Sequence, residues 1–372
     1  MPSEKASPQP RRIRRKVDGV LLLDKPEGMS SNAALQRARA LFQAEKAGHT
    51  GTLDPLASGL LPVCLGEATK FSADLLDADK TYRARVRLGM TTTTGDAEGA
   101  VLEIRPVCCD AARVQEVLAA FTGEMTQVPP MYSALKREGR PLYELARQGV
   151  TVEREARQIR IHRLELLNVI PAQAGIKYPT KGLEERVLNL PSPGNFAPGY
   201  GRQIAAPTDN SIAPRMENSV GDATCVPPQA LADDTPWLEV EVCCSKGTYI
   251  RVLAEDIGEA LGCGAHLAGL RRIAVGDLTL TGARSLPELE QLAADGALMD
   301  ALLPVDYLLR SLSAVFLDEG MSARFGCGNP VRVDKAGEPG TKIRVYAGER
   351  ELLGVGEVKA DGLLYPRRLL AR

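Results

Sequence analysis

What this chain has little of narrows its chemistry. Only three histidines occur, His49, His162 and His266, and they lie far apart. The eight cysteines include two adjacent pairs, Cys108-Cys109 and Cys243-Cys244, but no C-x-x-C. Neither the common zinc spacing nor the thioredoxin spacing is therefore present, and no metal is expected. Adjacent cysteines on a strand point to opposite faces, which suits core filling. No apolar run is long enough to span a bilayer, and the N-terminus, broken by Pro2, Pro8 and Pro10, has no apolar segment of the signal-peptide kind. A cytoplasmic protein without membrane contact is the expectation. A phosphate-cradling glycine loop and a nucleotide fingerprint are also missing, so no cofactor is expected. Excess charge is lacking as well: the net charge is -1. Any surface for a polyanion must then come from local segregation of charge.

What is there begins with size. A chain of 372 residues with 44% hydrophobic content can bury a sizeable core and form more than one domain. Residues 1–16 are polar and carry Arg11, Arg12, Arg14, Arg15 and Lys16, the composition of a disordered basic arm. Val20 to Leu23 read as a short buried strand, and Ser30 or Ser31 caps a helix on which Leu35, Ala38 and Phe42 recur at helical spacing.

The stretch Gly48-His49-Thr50-Gly51-Thr52-Leu53-Asp54-Pro55-Leu56-Ala57-Ser58-Gly59 then runs into the apolar Leu60 to Leu65. Its glycines, proline and small side chains point to a structured loop entering a buried strand. Asp54 is the only acid in it. Pro55 biases Asp54 away from the helical region and stiffens the backbone beyond, so the carboxylate is presented from an extended turn. Read alone, Asp54 is either a reactive carboxylate or the cap of an Asx turn.

Ala68 to Ala78 reads as a helix, and Lys80 to Gly89 as a strand on which Arg83, Arg85 and Arg87 alternate with smaller or apolar residues. Tyr82 heads this basic strand, which suggests a stacking platform, although alone it reads as a core aromatic. Gly95-Asp96-Ala97-Glu98-Gly99 reads as an exposed turn, with Asp96 and Glu98 serving its backbone rather than acid–base chemistry. Helical patterns follow within Val107 to Phe121 and at Leu142 to Arg147, and Arg157 to Leu167 alternates as a strand. Trp237 to Cys244 is another strand, turning at Ser245-Lys246-Gly247 into a helix from about Thr248 to Leu261. Tyr249 and Arg251 sit at this junction, where side chains can enter a cleft. Between these two strands, residues 169–236 hold ten of the chain's 25 prolines and no sustained period. We read them as a flexible insertion, which a host fold tolerates because loop-closure cost rises slowly with length. Leu286 to Ala294 suggests one more helix. Beyond about Leu312 come short strands and glycine turns, at Pro330 to Val333, Lys342 to Ala347, Leu352 to Val358 and Arg367 to Leu370.

The string GHTGTLDPLASGLLPV resembles the signature of the TruB-type pseudouridine synthases. Further blocks resemble that family in the family's order: Gly19 to Ser31, Lys80-Thr81-Tyr82-Arg83, Gly95 to Gly99, and Cys244-Ser245-Lys246-Gly247-Thr248-Tyr249-Ile250-Arg251. Residues 129–136 and the block around Leu270-Arg271-Arg272 are similar too. The resemblance implies an α+β pseudouridine-synthase fold with a large mixed, mostly antiparallel sheet flanked by helices, and a small C-terminal PUA-like β-barrel. By it, 17–310 is the catalytic domain, interrupted by 169–236, and 311–372 an RNA-binding domain. It implies a tRNA-modifying isomerase that turns the uridine at position 55 of the T-loop into its C-glycoside isomer on a flipped-out base, binding the T-arm as a monomer with no obligatory protein partner. Asp54 is then the nucleophile, attacking ribose C1′ or ring C6. Tyr82 stacks on the target base, Tyr249 hydrogen-bonds it or relays the C5 proton, and Arg251 pairs with Asp54 to keep it ionised. Leu270 walls the base pocket, His49 fills the gap left by the extruded nucleotide, and Arg271 and Arg272 reach phosphates.

Overall fold

A computed structural model of the chain describes residues 14–170 and 236–371, apart from 134, 138, 151 and 334–336. The insertion 169–236 thus lies almost wholly outside the described residues, as does the basic arm up to residue 13. Arg15 is already tied in: it bridges Ala44, and its Nε donates to the Phe42 carbonyl at 3.2 Å. The chain divides into two compact units, one of 1–78 with 274–372 and one of 79–273.

In the first unit, β1 (Gly19–Lys25) pairs antiparallel with β3 (Ala57–Leu65), and β2 (Ala47–His49) pairs with the end of β3. Both long strands are near-continuous apolar runs, the pattern of strands covered on both faces. One face, with Leu21, Leu23, Leu61, Val63 and Leu65, packs against α1 (Ser31–Phe42) and the later helix spanning Leu286–Ala294. The other, with Val20, Leu22, Leu60 and Cys64, packs against Phe71 and Leu75, the latter on α2 (Ser72–Asp77).

The second unit is built on strands in the order β12-β4-β11-β10-β7. In chain order its elements are β4 (Lys80–Leu88), β5 (Met90–Thr92), β6 (Val101–Ile104), α3 (Ala111–Ala120), β7 (Gly123–Gln127), β8 (Lys136–Arg137), β9 (Arg140–Pro141), α4 (Leu142–Arg147), β10 (Arg157–Ile170), β11 (Trp237–Cys244), α5 (Ile250–Ala260) and β12 (Ala265–Val275). Ala84, Val86, Leu88, Val240, Val242 and Ile161 share one core with Val114 and Val117 of α3 and Leu253 and Ile257 of α5.

The opposite face of β4 carries its arginines. Antiparallel register sets Arg83 against Glu241, Arg85 against Glu239 and Arg87 against Trp237. Arg83 Nε meets Glu241 at 3.1 Å, Arg85 Nε meets Glu239 at 2.6 Å, and the Arg87 guanidinium lies 5.3 Å from the Trp237 ring centroid. Arg163 adds a second contact to Glu241, at 2.6 Å. Arg83 and Arg85 are each paired with a cross-strand glutamate, a pair worth roughly 0.2–1 kcal/mol to the sheet, while Arg87 packs on an aromatic ring. Period two sends Tyr82 to the other side of the strand, against the core.

The remaining elements belong to the first unit: β13 (Leu278–Thr279), α6 (Leu286–Ala294), β14 (Ser313–Leu317), α7 (Glu319–Gly326), β15 (Lys342–Ala347), β16 (Glu351–Val358) and β17 (Leu364–Leu369). A capping box between Ser285 and Glu288 starts α6. The last four strands form an open sheet in the order β14-β15-β16-β17, with β14 parallel to β15 and the other pairs antiparallel. Phe325 of α7 packs on one face with Leu317, Ile343 and Val345. The expected barrel is not closed among the described residues, where β14 remains an edge and Val331 bridges antiparallel to Leu364 of β17. No described helix is long and apolar enough to cross a membrane.

Candidate active site

The Asp54 loop is held from below. Ser30 accepts from the Ala33 N–H and so caps α1, which leaves Ser31 for another task. The Ser31 side chain, on a residue 1% exposed, accepts from the Leu53 N–H at 2.7 Å and donates to the Leu53 carbonyl at 2.9 Å. One hydroxyl thereby satisfies both backbone groups of the buried residue preceding Asp54. Beyond Asp54, the Gly28 N–H donates to the Pro55 carbonyl at 2.8 Å, and the Ala57 N–H closes a turn onto the Asp54 carbonyl at 3.0 Å. Gly28 belongs to a turn tied by Lys25, a fully buried lysine whose Nζ donates to the Pro26 and Met29 carbonyls. Asp54 itself is exposed, while Leu53 and Ala57 on either side are buried. His49, half-buried, ends β2 opposite Val63.

The other predicted residues, Tyr82, Tyr249, Arg251 and Leu270, all lie in the second unit. Arg251 is on α5 and only 7% exposed. Its Nε meets Asp96 at 2.8 Å, and its Nη1 donates to the carbonyls of Tyr132 at 3.3 Å and Thr94 at 3.4 Å. Asp96 is 1% exposed, so the exposure expected of this turn is wrong. It does serve the turn, accepting from the Thr94 hydroxyl and the Glu98 N–H. Its burial is tolerated because a guanidinium from a distant part of the chain compensates the charge. The turn is pinned to β12, with the Leu267 N–H donating to Gly95 and the Ala97 N–H to Leu267, both at 3.0 Å. Gly95 is required there: its φ is +72°, and an added Cβ would lie 2.5 Å from the Glu255 carboxyl carbon.

Tyr249 is held much as Leu53 is. It is the N-cap residue of α5, with no side-chain cap of its own. Gln127, 4% exposed, accepts from the Tyr249 N–H at 2.8 Å and donates to the Tyr249 carbonyl at 3.1 Å. Tyr82 and Leu270 are partly buried against the core of this unit. Arg272 corrects the reading that placed it on phosphate: it is 1% exposed and hydrogen-bonded to Tyr82. Burial, the larger effect, lowers its pKa, and the Tyr82 contact opposes that shift. Burial likewise lowers the pKa of His266, whose Nδ1 lies 2.9 Å from the Met90 carbonyl. The thiols of Cys64 and Cys244 are pushed up to about 12 by burial, which makes both inert as nucleophiles.

Sequence reasoning missed Ser31 as a clamp, Gln127 altogether, and Asp96 as a buried partner. Only Ser31 left a signal: two serines stand at a helix start that needs one cap.

Comparison with known proteins bears on the whole of this arrangement. A family model described as the N-terminal domain of TruB family pseudouridylate synthase matches residues 39–180. Models described as the tRNA pseudouridylate synthase B C-terminal domain and as pseudouridine synthase II TruB, C-terminal, match 251–310 and 313–370. A protein of Cupriavidus metallidurans named tRNA pseudouridine synthase B is 48% identical, over 100% of this chain and 99% of that one. A protein of the same name from Dechloromonas aromatica is 50% identical, over 97% of this chain and 98% of its own.

The chain belongs to the TruB pseudouridine synthase family.

Solved structures agree at the level of fold. A chain from an H/ACA RNP bound to a substrate RNA containing 2′-deoxyuridine has a TM-score of 0.58 and 20% identity, covering 95% of this chain and 86% of its own. One from a Cbf5-Nop10-Gar1 complex has a TM-score of 0.56 and 22% identity, covering 92% and 78%. Within the TruB family assignment, the α+β architecture and its large sheet are as the sequence implied, while the closed C-terminal barrel is not.

Proposed function

We propose that this chain isomerises the uridine at position 55 of the tRNA T-loop to pseudouridine. The observation that carries the reading is end-to-end likeness to proteins named tRNA pseudouridine synthase B. The reaction breaks the N1–C1′ bond, turns the base and joins C5 to C1′; the C5 proton is lost and N1 gains one, so that product and substrate are isomers. It involves no redox change, so the chain's own side chains suffice and no cofactor is called for.

In this reading Asp54 is the nucleophile, attacking C1′ or C6 of a uridine taken out of its stack. The support is its presentation: an accessible carboxylate on a backbone fixed on both sides. Tyr82 stacks on the uracil, Tyr249 hydrogen-bonds it or relays the C5 proton, and Leu270 excludes water. Arg251 belongs to the same machinery, and the buried Asp96 holds its guanidinium in place. His49 fills the space vacated by the flipped nucleotide. Residues 311–372 act as a PUA-like RNA-contacting region. We assign the protein to the cytoplasm as a monomer that needs no protein partner.

The test is the purified protein on an unmodified T-arm stem-loop, with pseudouridine detected by carbodiimide labelling. Wild type is expected to label the T-loop position, and Asp54→Asn to bind the RNA without converting it. Turnover by Asp54→Asn would remove Asp54 from the mechanism, and absence of any product from wild type would remove the function.

A further inference from the structure

The face of the C-terminal sheet turned away from its core carries an aromatic stack that is open on one side. Parallel pairing sets Ala314 beside Arg344 and Phe316 beside Tyr346. Val315, Leu317, Ile343 and Val345 enter the core, so period two places Ala314, Phe316, Arg344 and Tyr346 together on the opposite face. There the Phe316 and Tyr346 rings stack with centroids 5.3 Å apart and 27° between their planes. The lower ring is anchored: Tyr346 is 7% exposed, and its hydroxyl donates to Asp306 at 2.8 Å. The upper ring is 57% exposed. It stands on an edge strand next to the small, exposed Ser313 and Ala314, which leave its outer surface uncovered. A cationic side chain shares the face: Arg344, set beside Ala314 by the register.

A single exposed ring is far too small for a protein interface, which needs on the order of 1,000 Å². It is the right size for one unpaired base, whose stacking on an aromatic side chain needs a rigid ring face and little else. The net charge of -1 also means that this protein must collect its RNA-binding cations locally.

We propose that Phe316, backed by Tyr346, is a stacking platform for one unpaired nucleobase of the tRNA, with Arg344 meeting an adjoining phosphate. The proposal rests on tRNA being the substrate. Because Phe316 is exposed, its replacement leaves the fold intact, and affinity can be read directly.

The experiment measures Kd and turnover of full-length unmodified tRNA for wild type and for Phe316→Ala, Phe316→Leu and Phe316→Trp. The alanine and leucine variants are expected to raise Kd roughly fivefold or more with kcat at saturation unchanged, and tryptophan to match wild type. A leucine variant that binds like wild type would show that no ring face is used. An unchanged alanine variant, or a tryptophan variant as weak as alanine, would overturn the proposal equally. If wild type itself converts no tRNA, the functional reading fails instead, so the two failures are distinct.

Discussion

A hydroxyl that both donates to and accepts from the same residue fixes that residue in two directions at once. Ser31 does this to Leu53, and so sets where Asp54 stands without touching it. Removing the hydroxyl orphans two buried backbone groups, at a cost of about 1–3 kcal/mol. Misplacing a reacting group by about an ångström can cost roughly a hundredfold in rate. Ser31→Ala should therefore lower kcat by roughly ten- to a hundredfold with KM for tRNA little changed, and Ser31→Thr should recover most of it. Steady-state kinetics on the two variants decides the matter: a loss in KM alone would mean that the clamp serves RNA binding. Asp96 belongs to the same scale. Its carboxylate and the Arg251 guanidinium are both buried, and removing one strands the other, a loss of roughly 3–5 kcal/mol. Asp96→Ala is expected to show that drop in chemical denaturation, and to lose turnover even at temperatures where it stays folded.

On helix α5, Arg251 has the buried Asp96 as its counter-charge, but a carboxylate five residues further on is less well served. Asp256 is pushed up to about 6, chiefly by burial and secondarily by the charge of Glu259. The folded state therefore prefers the protonated acid. That preference contributes fully below the unfolded value near 3.8 and is lost as pH rises through about 6. Above that pH the wild type carries a half-buried, poorly compensated charge, and Asp256→Asn should be more stable, by roughly 1–3 kcal/mol at pH 8. The gain should vanish towards pH 4. Thermal unfolding of both proteins across that range checks the sign, and a benefit independent of pH would exclude ionisation as its source. Elements also show what could be read in advance. The runs of β1 and β3 announce strands covered on both faces, and the stiff Asp54-Pro55 turn announces a presented carboxylate. Neither the cross-strand glutamates of Arg83 and Arg85 nor the partner of Asp96 is written near the residue concerned. Both depend on register and on chain brought back from far away. The same holds for the Gln127 amide on Tyr249, which has no local pattern at all.

At the scale of the whole molecule, strand periodicity reveals that the C-terminal residues form a sheet, but not whether its edges meet, because closure depends on tilt and stagger that no single strand encodes. Among the described residues the open sheet leaves β14 as an edge, Val331 bridges to β17, and the far strands are used to attach the sheet within its own unit. Val355 of β16 shares a core with Val20 and Leu22 of β1, and Leu352 and Leu370 pack against that core. Lys70 donates to the Leu369 carbonyl at 2.8 Å, and the Ala371 N–H donates to Glu67 at 2.6 Å. Leu352, Val355 and Leu370 of the C-terminal region are thus part of the packing beneath the strand that carries the Asp54 loop. If this region were only an RNA-binding appendage, a chain ending at Leu312 would keep its melting temperature and lose affinity alone. The shared core predicts otherwise: burying a side chain such as Val355 contributes about 1.5–3 kcal/mol, and its loss should lower the melting temperature by roughly 5 °C or more. Calorimetry of the truncated chain beside Val355→Ala in the full chain separates the two views. The point variant should reproduce part of the thermal loss while leaving tRNA affinity untouched, since it removes packing and no surface.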